Sequence, residues 1–433
     1  MFLVFALCLG WGELTVSCVL QGERRAFGDV TRLIVGFLSA YLVALVVQDF
    51  RWSRPILLIG GCAGLALWLA RFFSDRLSSG KLSLPFRRVD IWATLVIFIF
   101  LSALLVSSPQ MGWDAKSIWF LQYKQVFFAK SVGLSAGWAL PELRFSHSDY
   151  PKLHALLGAH WLETTGMGWS DQRAKFSLIM LMGLMWAANL VLARGGNLIL
   201  FWLVLSGVPG EKLFSGYMDV WCAGFAALGA VGVYLGGCER SQEKVFLGWA
   251  LLVLAAQIKN EGILSLAACF LVFLISRQSL GLESLRAKGF LIASALAWPV
   301  IRFSWGLSND LSLGSFQYFR MVLVRALDLE SWNLILKSAL WGPSFTGVLG
   351  VVAAVVSWII SKRSGSREFL QLCLAGWVYW VAMILVYLGT PHDLLWHLGT
   401  SASRVFLFSG QLWSLVLLAG LASAWKSQAP APR

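Results

Sequence analysis

Long apolar segments recur along the whole of this 433-residue chain, and they decide what it can fold into. About 20 consecutive apolar residues in a helix cross the roughly 30 Å hydrocarbon core of a bilayer. Only 13% of the residues are charged, about half the roughly 25% of an ordinary soluble domain, which is too little for a soluble surface. The pattern predicts an all-α polytopic membrane protein. It excludes a soluble enzyme, a disordered chain and a disulfide-rich secreted domain.

The apolar segments predict about 13 transmembrane helices. The first lacks a basic leader and a small-residue cleavage site, which favours a retained helix over a signal peptide. Three segments are short, as expected for tilted or broken helices; they are 196–208, 245–258 and 262–276. The other predicted spans are 2–20, 31–48, 55–72, 91–108, 174–193, 217–236, 289–304, 343–360, 370–388 and 404–424.

The charged residues predict how the chain is oriented. Cytoplasmic connections of membrane proteins carry an excess of lysine and arginine. More than half of the 35 lysines and arginines, Arg32 and Arg71 among them, fall in such connections if the N-terminus lies outside and the C-terminus is cytoplasmic. Most of the 22 acids and all five histidines then face outside, which favours a reaction centre there. The net charge of +13 is therefore attributed to topology, and no nucleic-acid partner is expected.

The largest outside connection, 109–173, opens with a carboxylate. Asp114 follows the fourth predicted span closely, and a carboxylate there can take a proton from a hydroxyl nucleophile. The alternative is that Asp114 caps an interfacial helix, since Asp is a good cap. Trp113 and Trp119 flank it, either as sugar-stacking platforms or as members of an interfacial aromatic belt.

A second polar cluster comes later in the same connection, at residues 146–154. Asp149 lies just before a proline, which is typical of a helix start, so a cap followed by an interfacial helix is one interpretation. The other is the wall of a site in which Lys152 or a histidine faces an anion. A zinc site made by three histidines has no recognised ligand spacing; they are His147, His154 and His160. We assign no metal site and leave a divalent ion open.

Two more clusters lie at the predicted outer ends of spans. Asp219 lies about one turn into its span, and Lys259, Asn260 and Glu261 separate two short spans. Ionisable residues at this depth are costly unless they are paired or line a wet cavity, so they predict a functional site by default. The alternative is a polar turn from which Lys259 reaches the interface.

The last cluster lies around the outer connection 389–403, before the final span. Asp393 and His397 are four residues apart and share a face if the segment is helical. Arg404 follows at the mouth of the last helix, where its planar fork suits a phosphate. The alternative is an anchor to lipid headgroups.

Taken in order, these segments resemble bacterial glycosyltransferases of the GT-C type, relatives of the protein O-mannosyltransferases and of the lipid A aminoarabinose transferase. The resemblance covers about residues 90–424. Two features depart from the family: Tyr150 occupies a position where several relatives have lysine, and the three spans before residue 91 exceed the usual one. The motifs that carry the resemblance are Gly112–Ala115, His147–Leu153, Gly216–Asp219, Lys259–Gly262 and Asp393–Arg404.

The resemblance implies a GT-C-type bundle whose large first outer loop carries interfacial helices. It implies additional helices at 1–89, a core at 90–305 with the catalytic loop 109–173, and a C-terminal region at 306–433. Together with the clusters above it assigns candidate roles. The catalytic candidates are Asp114 and Asp219, the donor-phosphate ligands are Lys152, Lys259 and Arg404, and the substrate-binding candidates are Trp113, Trp119, His147, Asp149, Tyr150, Glu261, Asp393 and His397.

The implied reaction takes place at the extracytoplasmic side of the bacterial inner membrane. A sugar passes with inversion from a polyprenyl-phosphate donor to a hydroxyl of a glycan, lipid or protein, and no cofactor is expected. An O-antigen ligase or polymerase is an alternative, although its long Arg-rich loop usually falls late in the chain. A secondary transporter of an anionic or lipid-linked substrate is another, and it predicts polar residues at mid-membrane and an inverted repeat.

Overall fold

All regular structure in the described part of the chain is helical, apart from one isolated antiparallel bridge between Asp49 and Ser131. This confirms the predicted all-α class for that part. The computed structural model describes residues 2–18, 27–79, 99, 102–105, 107, 111–192, 215–276, 282, 284–307, 315–341, 346–364 and 368–428.

The helices are numbered in chain order. The first half contains α1 (Phe2–Cys18), α2 (Asp29–Val47), α3 (Phe50–Ser79), a π-helical segment (Ala115–Trp119), α4 (Phe120–Ala129), two 3-10 turns (Leu134–Ala136 and Pro141–Ser146), α5 (Leu153–Thr164), α6 (Asp171–Ala174) and α7 (Phe176–Leu192). The second half contains α8 (Asp219–Glu239), α9 (Gln242–Ala256), α10 (Asn260–Ile275), α11 (Leu285–Ser304), α12 (Phe316–Ala326), α13 (Leu329–Trp341), α14 (Thr346–Ser364), α15 (Glu368–Gly389), α16 (Leu394–Val405) and α17 (Leu407–Gln428).

Among the described residues, six helical segments are long and apolar enough to cross a membrane, or up to seven if the bent pair α13–α14 is one span. The chain is thus an all-α membrane protein. Its predicted 13 spans stay a prediction, since α1 and α10 are shorter apolar helices. Most of the predicted span 91–108 lies outside the described residues, and so does the whole of the predicted span 196–208. The six segments are Asp29–Val47, Phe50–Ser74, Asp171–Leu192, Asp219–Glu239, Phe369–Gly389 and Leu394–Leu418.

Helix α8 lies at the centre of the bundle. Its spanning window is 89% buried, the highest value among the six segments, and it packs against α7, α9, α10, α15 and α17. Glycine lets α8 and α9 approach closely: a Cβ on Gly248 of α9 would lie 2.3 Å from the backbone N of Val233 in α8. Because α8 begins at Asp219, this packing fixes where that carboxylate lies.

Helices α1, α2 and α3 form a tight group that holds a buried ion cluster. A Cβ on Gly36 of α2 would lie 1.6 Å from the carbonyl O of Cys8, so only glycine allows this contact. Nε of Arg32 lies 2.7 Å from Oε2 of Glu13, and both side chains are fully buried. Nε of Arg71 lies 3.4 Å from the same oxygen. Arg32 and Arg71, which the sequence predicts in cytoplasmic connections, lie inside α2 and α3 and pair with Glu13.

The predicted outer loop is a folded unit. Between residues 111 and 170 the chain forms the π-helical segment, α4, two 3-10 turns and α5. Helix α5 packs against α2, α4 and α7, and its residues Leu153–Leu162 are all buried. A helix that is largely apolar around its circumference is buried on all sides. For this reason α5 lies inside the protein, and its place at the level of the membrane surface stays a prediction.

Candidate active site

Asp114 lies near the start of a helical stretch that runs from Trp113 to Ala129 and includes the π-helical segment. Its own backbone is already helical, with φ −60° and ψ −35°, and its side chain makes no capping hydrogen bond. The interpretation of Asp114 as a helix cap is therefore wrong. π-Helical turns are rare and occur often at functional sites.

Arg404 holds Asp114 together with a second carboxylate. It lies in the last turn of α16, and its Nη1 donates a hydrogen bond to Oδ2 of Asp114 and lies 3.6 Å from Oδ2 of Asp219. Its Nη2 also donates to the carbonyl O of Thr400 at 2.9 Å. The guanidinium lies over the ring of Tyr217 at 4.9 Å. These contacts use the planar fork of arginine on several partners at once, which a lysine cannot do.

Lys259 continues the same network from the other side of Asp219. Its Nζ lies 2.7 Å from Oδ1 of Asp219 and 2.6 Å from Oε1 of Glu261, and its side chain is only 8% exposed. The interpretation in which Lys259 reaches the membrane interface is therefore wrong, because two carboxylates hold the ammonium inside. Asp219 is the first residue of α8, where the helix macrodipole favours a negative charge.

These five residues form an alternating series, Asp114–Arg404–Asp219–Lys259–Glu261, which we call the ion chain. It contains three carboxylates and two cations, so its formal charge is negative. Taking charges out of water is costly, and buried ion pairs are weak evidence for stability. Ionisable groups at membrane depth indicate function instead.

The space enclosed beside the ion chain is small. It is a cavity of about 10 Å³, which is room for roughly one water molecule. Apolar and aromatic side chains of α8, α15, α16 and α17 complete its wall, with Ala226, Tyr379 and Phe408 among them. A ligand larger than about one water molecule therefore does not fit in this enclosed space.

The turn at residues 147–152 packs beside the ion chain. Nδ2 of Asn260 donates to Oδ2 of Asp149 at 2.7 Å, and Nε1 of Trp298 donates to the carbonyl O of Asp149 at 2.7 Å. Asn260 directly follows Lys259 and begins α10. Asp149 is buried, so it fastens the outer loop to α10 and α11 beside the site.

Three stacked rings lead from the same turn toward the ion chain. Tyr150 stacks on His147 at 4.8 Å between ring centres and on Trp119 at 5.2 Å. Nζ of Lys259 lies 5.7 Å from the centre of the Tyr150 ring. His147 has a positive φ of 50°, a conformation uncommon outside glycine and found where surrounding structure enforces it. The stack places three predicted site residues side by side.

Lys152 lies in a cage of two tryptophans. Its Nζ lies 4.2 Å from the ring centre of Trp138 and 5.1 Å from that of Trp298, and the side chain is fully buried. Among the described residues this Nζ has no hydrogen-bond partner. Burial lowers the pKa of Lys152 well below its ordinary value, and the carboxylate of Asp149 opposes that shift. Lys152, which was predicted to bind the donor phosphate, thus contacts two indole faces in this structure.

His154 and His160 are core histidines with separate partners. Nε2 of His154 lies 2.6 Å from Oγ of Ser177, and Nε2 of His160 lies 2.8 Å from Oγ of Ser53. Burial lowers the pKa of His154 to about 3 and that of His160 to about 4. Within the ranges that the structure describes, no group of three or more His, Cys, Asp or Glu could hold a metal ion.

Two further predicted site residues make other contacts, and a third is exposed. Asp393 is exposed and caps α16, because its Oδ1 accepts a hydrogen bond from the backbone N of Trp396 at 2.8 Å. Nδ1 of His397 lies 2.9 Å from Oγ1 of Thr390. Trp113 is 66% exposed. Of the three, Trp113 presents a ring that a ligand can reach.

Tyr217, Trp138 and Trp298 contact predicted site residues but were not themselves predicted from the sequence. Tyr217 belongs to the Gly216–Asp219 motif, so a signal for it was present. The two tryptophans gave no signal, because nothing in the sequence distinguishes a cage around a lysine from an interfacial belt.

The ion chain unites residues from four separate clusters that the sequence analysis named. Comparison of the chain with protein-family models, with curated proteins and with solved structures finds no match. The GT-C resemblance therefore stays a prediction.

Proposed function

We propose that the protein is a membrane glycosyltransferase that moves a sugar from a polyprenyl-phosphate donor to an acceptor hydroxyl on the extracytoplasmic side. The observation that carries the proposal is the position of Arg404 between Asp114 and Asp219. Such a transfer needs a base for the attacking hydroxyl and a cation for the departing phosphate. A carboxylate and a guanidinium in direct contact supply both.

In the proposed reaction the acceptor oxygen attacks the anomeric carbon of the donor in line with the phosphate. A new carbon–oxygen bond forms as the bond to the phosphate oxygen breaks, which inverts the anomeric centre. The hydroxyl proton passes to Asp114, and polyprenyl phosphate leaves with the electron pair. Arg404 and Lys259 stabilise the charge that develops on the phosphate, and Asp219 positions both cations through its two contacts.

Donor binding and base activation are linked in this proposal. In this structure the Arg404 fork is occupied by Asp114. An arriving phosphate competes with that carboxylate for the guanidinium, since arginine binds phosphate and carboxylate in the same geometry. As the phosphate takes over the fork, Asp114 is released to accept a proton. The base thus becomes available only when the donor is present.

The aromatic residues of the outer loop form the proposed sugar-binding wall. The exposed ring of Trp113 lies next in sequence to Asp114. The stack of His147, Tyr150 and Trp119 lies on the loop side of Lys259. Aromatic faces suit the apolar faces of sugars. No cofactor is required by this chemistry.

The decisive experiment measures transfer from a labelled polyprenyl-phosphate sugar in membrane vesicles. Asp114→Asn keeps the shape of the side chain and removes the base, so the transfer rate should fall by about 10²- to 10⁴-fold. Asp171→Asn changes an exposed acid that directly follows the outer unit and should leave the rate unchanged. Wild-type transfer by a folded Asp114→Asn protein would rule out the role of Asp114.

The orientation is tested by labelling intact cells with an impermeant maleimide. The exposed native cysteines, Cys18, Cys62 and Cys238, are first replaced by serine. A cysteine at the exposed Leu134 position should then be labelled from outside. Protection of that cysteine until the cells are opened would overturn the proposed side of the active site.

A secondary transporter remains the second candidate, and the alternating ion chain is the observation that favours it. Buried acid–base series at membrane depth occur in proton relays and ion pathways. A transporter would move an anionic or lipid-linked substrate without breaking a covalent bond. Uptake of the labelled donor into vesicles without release of polyprenyl phosphate would favour this function over the transferase.

A further inference from the structure

A second cavity lies at the turn between α2 and α3 and shares no lining residue with the ion chain. Its volume is about 390 Å³, within the roughly 300–1,000 Å³ of ligand pockets. Basic residues and one acid line it together with apolar side chains. The lining includes Phe50, Arg51, Arg54, Pro55, Lys130 and Glu163.

The cavity lies at the level of a membrane surface. Helices α2 and α3 are both candidate spans, and only Gln48 and Asp49 separate them. Helix α2 has 19 residues and is therefore about 28 Å long, close to the thickness of the hydrocarbon core. A tight turn between two spans of this length falls where the hydrocarbon gives way to the headgroups.

The outer loop supplies the opposite wall and is fastened to this turn. The backbone N of Phe50 donates to the carbonyl O of Lys130 at 2.9 Å, and that of Val132 donates to the carbonyl O of Gln48 at 3.0 Å. Lys130 ends α4 in a left-handed conformation with φ of 51°. This pairing holds the Lys130 side chain over the start of α3 instead of leaving it on a free loop.

The charges around the cavity leave one positive charge in excess. Arg51 pairs with Asp49 at 2.8 Å and is largely exposed, while Lys130 pairs with Glu163. Nη1 of Arg54 lies 3.9 Å from Oε1 of Glu163, at the limit of an ion pair. The guanidinium of Arg54 therefore has capacity for a further anion, and its fork geometry suits phosphate.

The apolar side of the cavity continues onto a face of α3 that the described residues leave exposed. The spanning window of α3 is only 11% buried. Trp52, Ile56 and Ile59 recur at helical spacing on this face and are 67%, 41% and 70% exposed. Pro55 and Leu58 line the cavity on the same helix. An acyl chain can therefore run along α3 from a headgroup held in the cavity.

We propose that this cavity binds the phosphate headgroup of a membrane lipid whose acyl chain lies on the exposed face of α3. Arg54 and Lys130 hold the phosphate, and Arg51 covers it from the rim. Cations from α3 and from the end of α4 converge on this one pocket at a membrane surface. This convergence distinguishes the proposed lipid site from single basic side chains that reach the interface. The proposal does not depend on the transferase reaction.

The test is lipid retention by the full-length protein, measured by native mass spectrometry after reconstitution in mixed vesicles. The vesicles contain equal amounts of phosphatidic acid and phosphatidylcholine. We expect retention of phosphatidic acid at least about tenfold above phosphatidylcholine. The variant Arg54→Gln with Lys130→Gln should lose this preference. Arg320→Gln, which removes an exposed arginine of α12 outside the cavity, should keep it.

Three further measurements make the outcome decisive. If the double variant does not fold, Arg51→Glu at the exposed rim replaces it and should lower the preference several-fold. A phosphatidic acid with a photoreactive acyl chain should crosslink to the α3 peptide that contains Ile56 and Ile59. Equal retention by wild type and variants, or crosslinks confined to other helices, overturns the proposal. Displacement of the lipid by millimolar inorganic phosphate would instead make this a free-anion site, which also overturns it.

Discussion

Arg404 and Asp114 are 290 residues apart in the chain and form an ion pair at the junction of α16 with the π-helical segment. Arg404 links two carboxylates, since the same guanidinium nitrogen also lies 3.6 Å from Oδ2 of Asp219. Three distant parts of the chain therefore depend on one side chain. Its replacement should affect both the stability of the site and the proposed transfer.

Replacement of Arg404 by glutamine should reduce transfer by at least about 100-fold, because loss of one charge-stabilising donor costs about 10²- to 10³-fold in rate. The transfer rate of Arg404→Lys should lie between those of the wild type and Arg404→Gln, since an ammonium provides one contact where the guanidinium provides several. Rates in vesicles and melting temperatures in detergent measure the two effects separately.

A double-mutant cycle identifies the Arg404 partner. Asp114→Asn combined with Arg404→Gln should destabilise less than the sum of the two single changes, because residues in one ion network are coupled. A partner mutation outside the network, Asp328→Asn in the exposed cap of α13, should instead be additive with Arg404→Gln. If the destabilisations of Asp114→Asn and Arg404→Gln were strictly additive, the ion pair between the two residues would contribute nothing to stability.

The sequence allowed the members of the ion chain to be named but not their pairing. Asp114, Asp219, Lys259 and Arg404 stand out because ionisable groups near the ends of apolar helices are costly and therefore informative. Which acid meets which base depends on contacts between segments up to 290 residues apart, and no local pattern encodes them. The fold class was predictable because a 20-residue apolar helix has few environments available to it.

Local signals were also ambiguous where one residue type serves two purposes. Asp is both a base and a helix cap, so Asp114 and Asp393 looked alike in sequence. In the structure Asp393 caps α16, whereas Asp114 pairs with Arg404. Burial of Lys152 between two indoles was not predictable for the same reason, since lysine serves both as an anion ligand and as a cation on aromatic faces.

The glycine at position 112 should be required for site geometry. A Cβ there would lie 2.2 Å from Cε2 of Tyr217, and that ring supports Arg404 from 4.9 Å. Gly112→Ala should displace the ring and reduce transfer by about tenfold or more, since misplacement by about 1 Å can cost 10²-fold. Gly289→Ala in α11, where a Cβ meets nothing within 4 Å, is the matched control and should retain activity.

The buried histidines should make the protein less stable in mild acid. The pKa of His154 is lowered to about 3 and that of His160 to about 4, whereas an unfolded histidine has a pKa of about 6.5. Between these values the unfolded state binds more protons, so stability is full above pH 6.5 and falls as the pH is lowered. Each histidine should cost about 2 kcal/mol by pH 5.

Melting temperatures in detergent between pH 8 and pH 5 measure this effect. The wild-type protein should show a plateau above pH 7 and a decline below pH 6.5. His154→Gln combined with His160→Gln should lower the plateau, because buried contacts with Ser177 and Ser53 change, and should flatten the decline. An unchanged pH profile in the double variant would show that other groups cause the acid sensitivity.

Replacement of Lys152 tests whether this residue has a structural role or a role in donor binding. Its Nζ lies over the rings of Trp138 and Trp298, but burial opposes the charged form, so the desolvation cost offsets the cation–π gain. Lys152→Met keeps the apolar stem and removes the amine, so we expect a small change in melting temperature with an unchanged KM for the donor. Lys259→Met removes a cation of the ion chain and should raise that KM strongly. If Lys152→Met raises the KM as much as Lys259→Met does, the loop must turn Lys152 toward the donor when the donor binds, and the tryptophan cage is only its resting position.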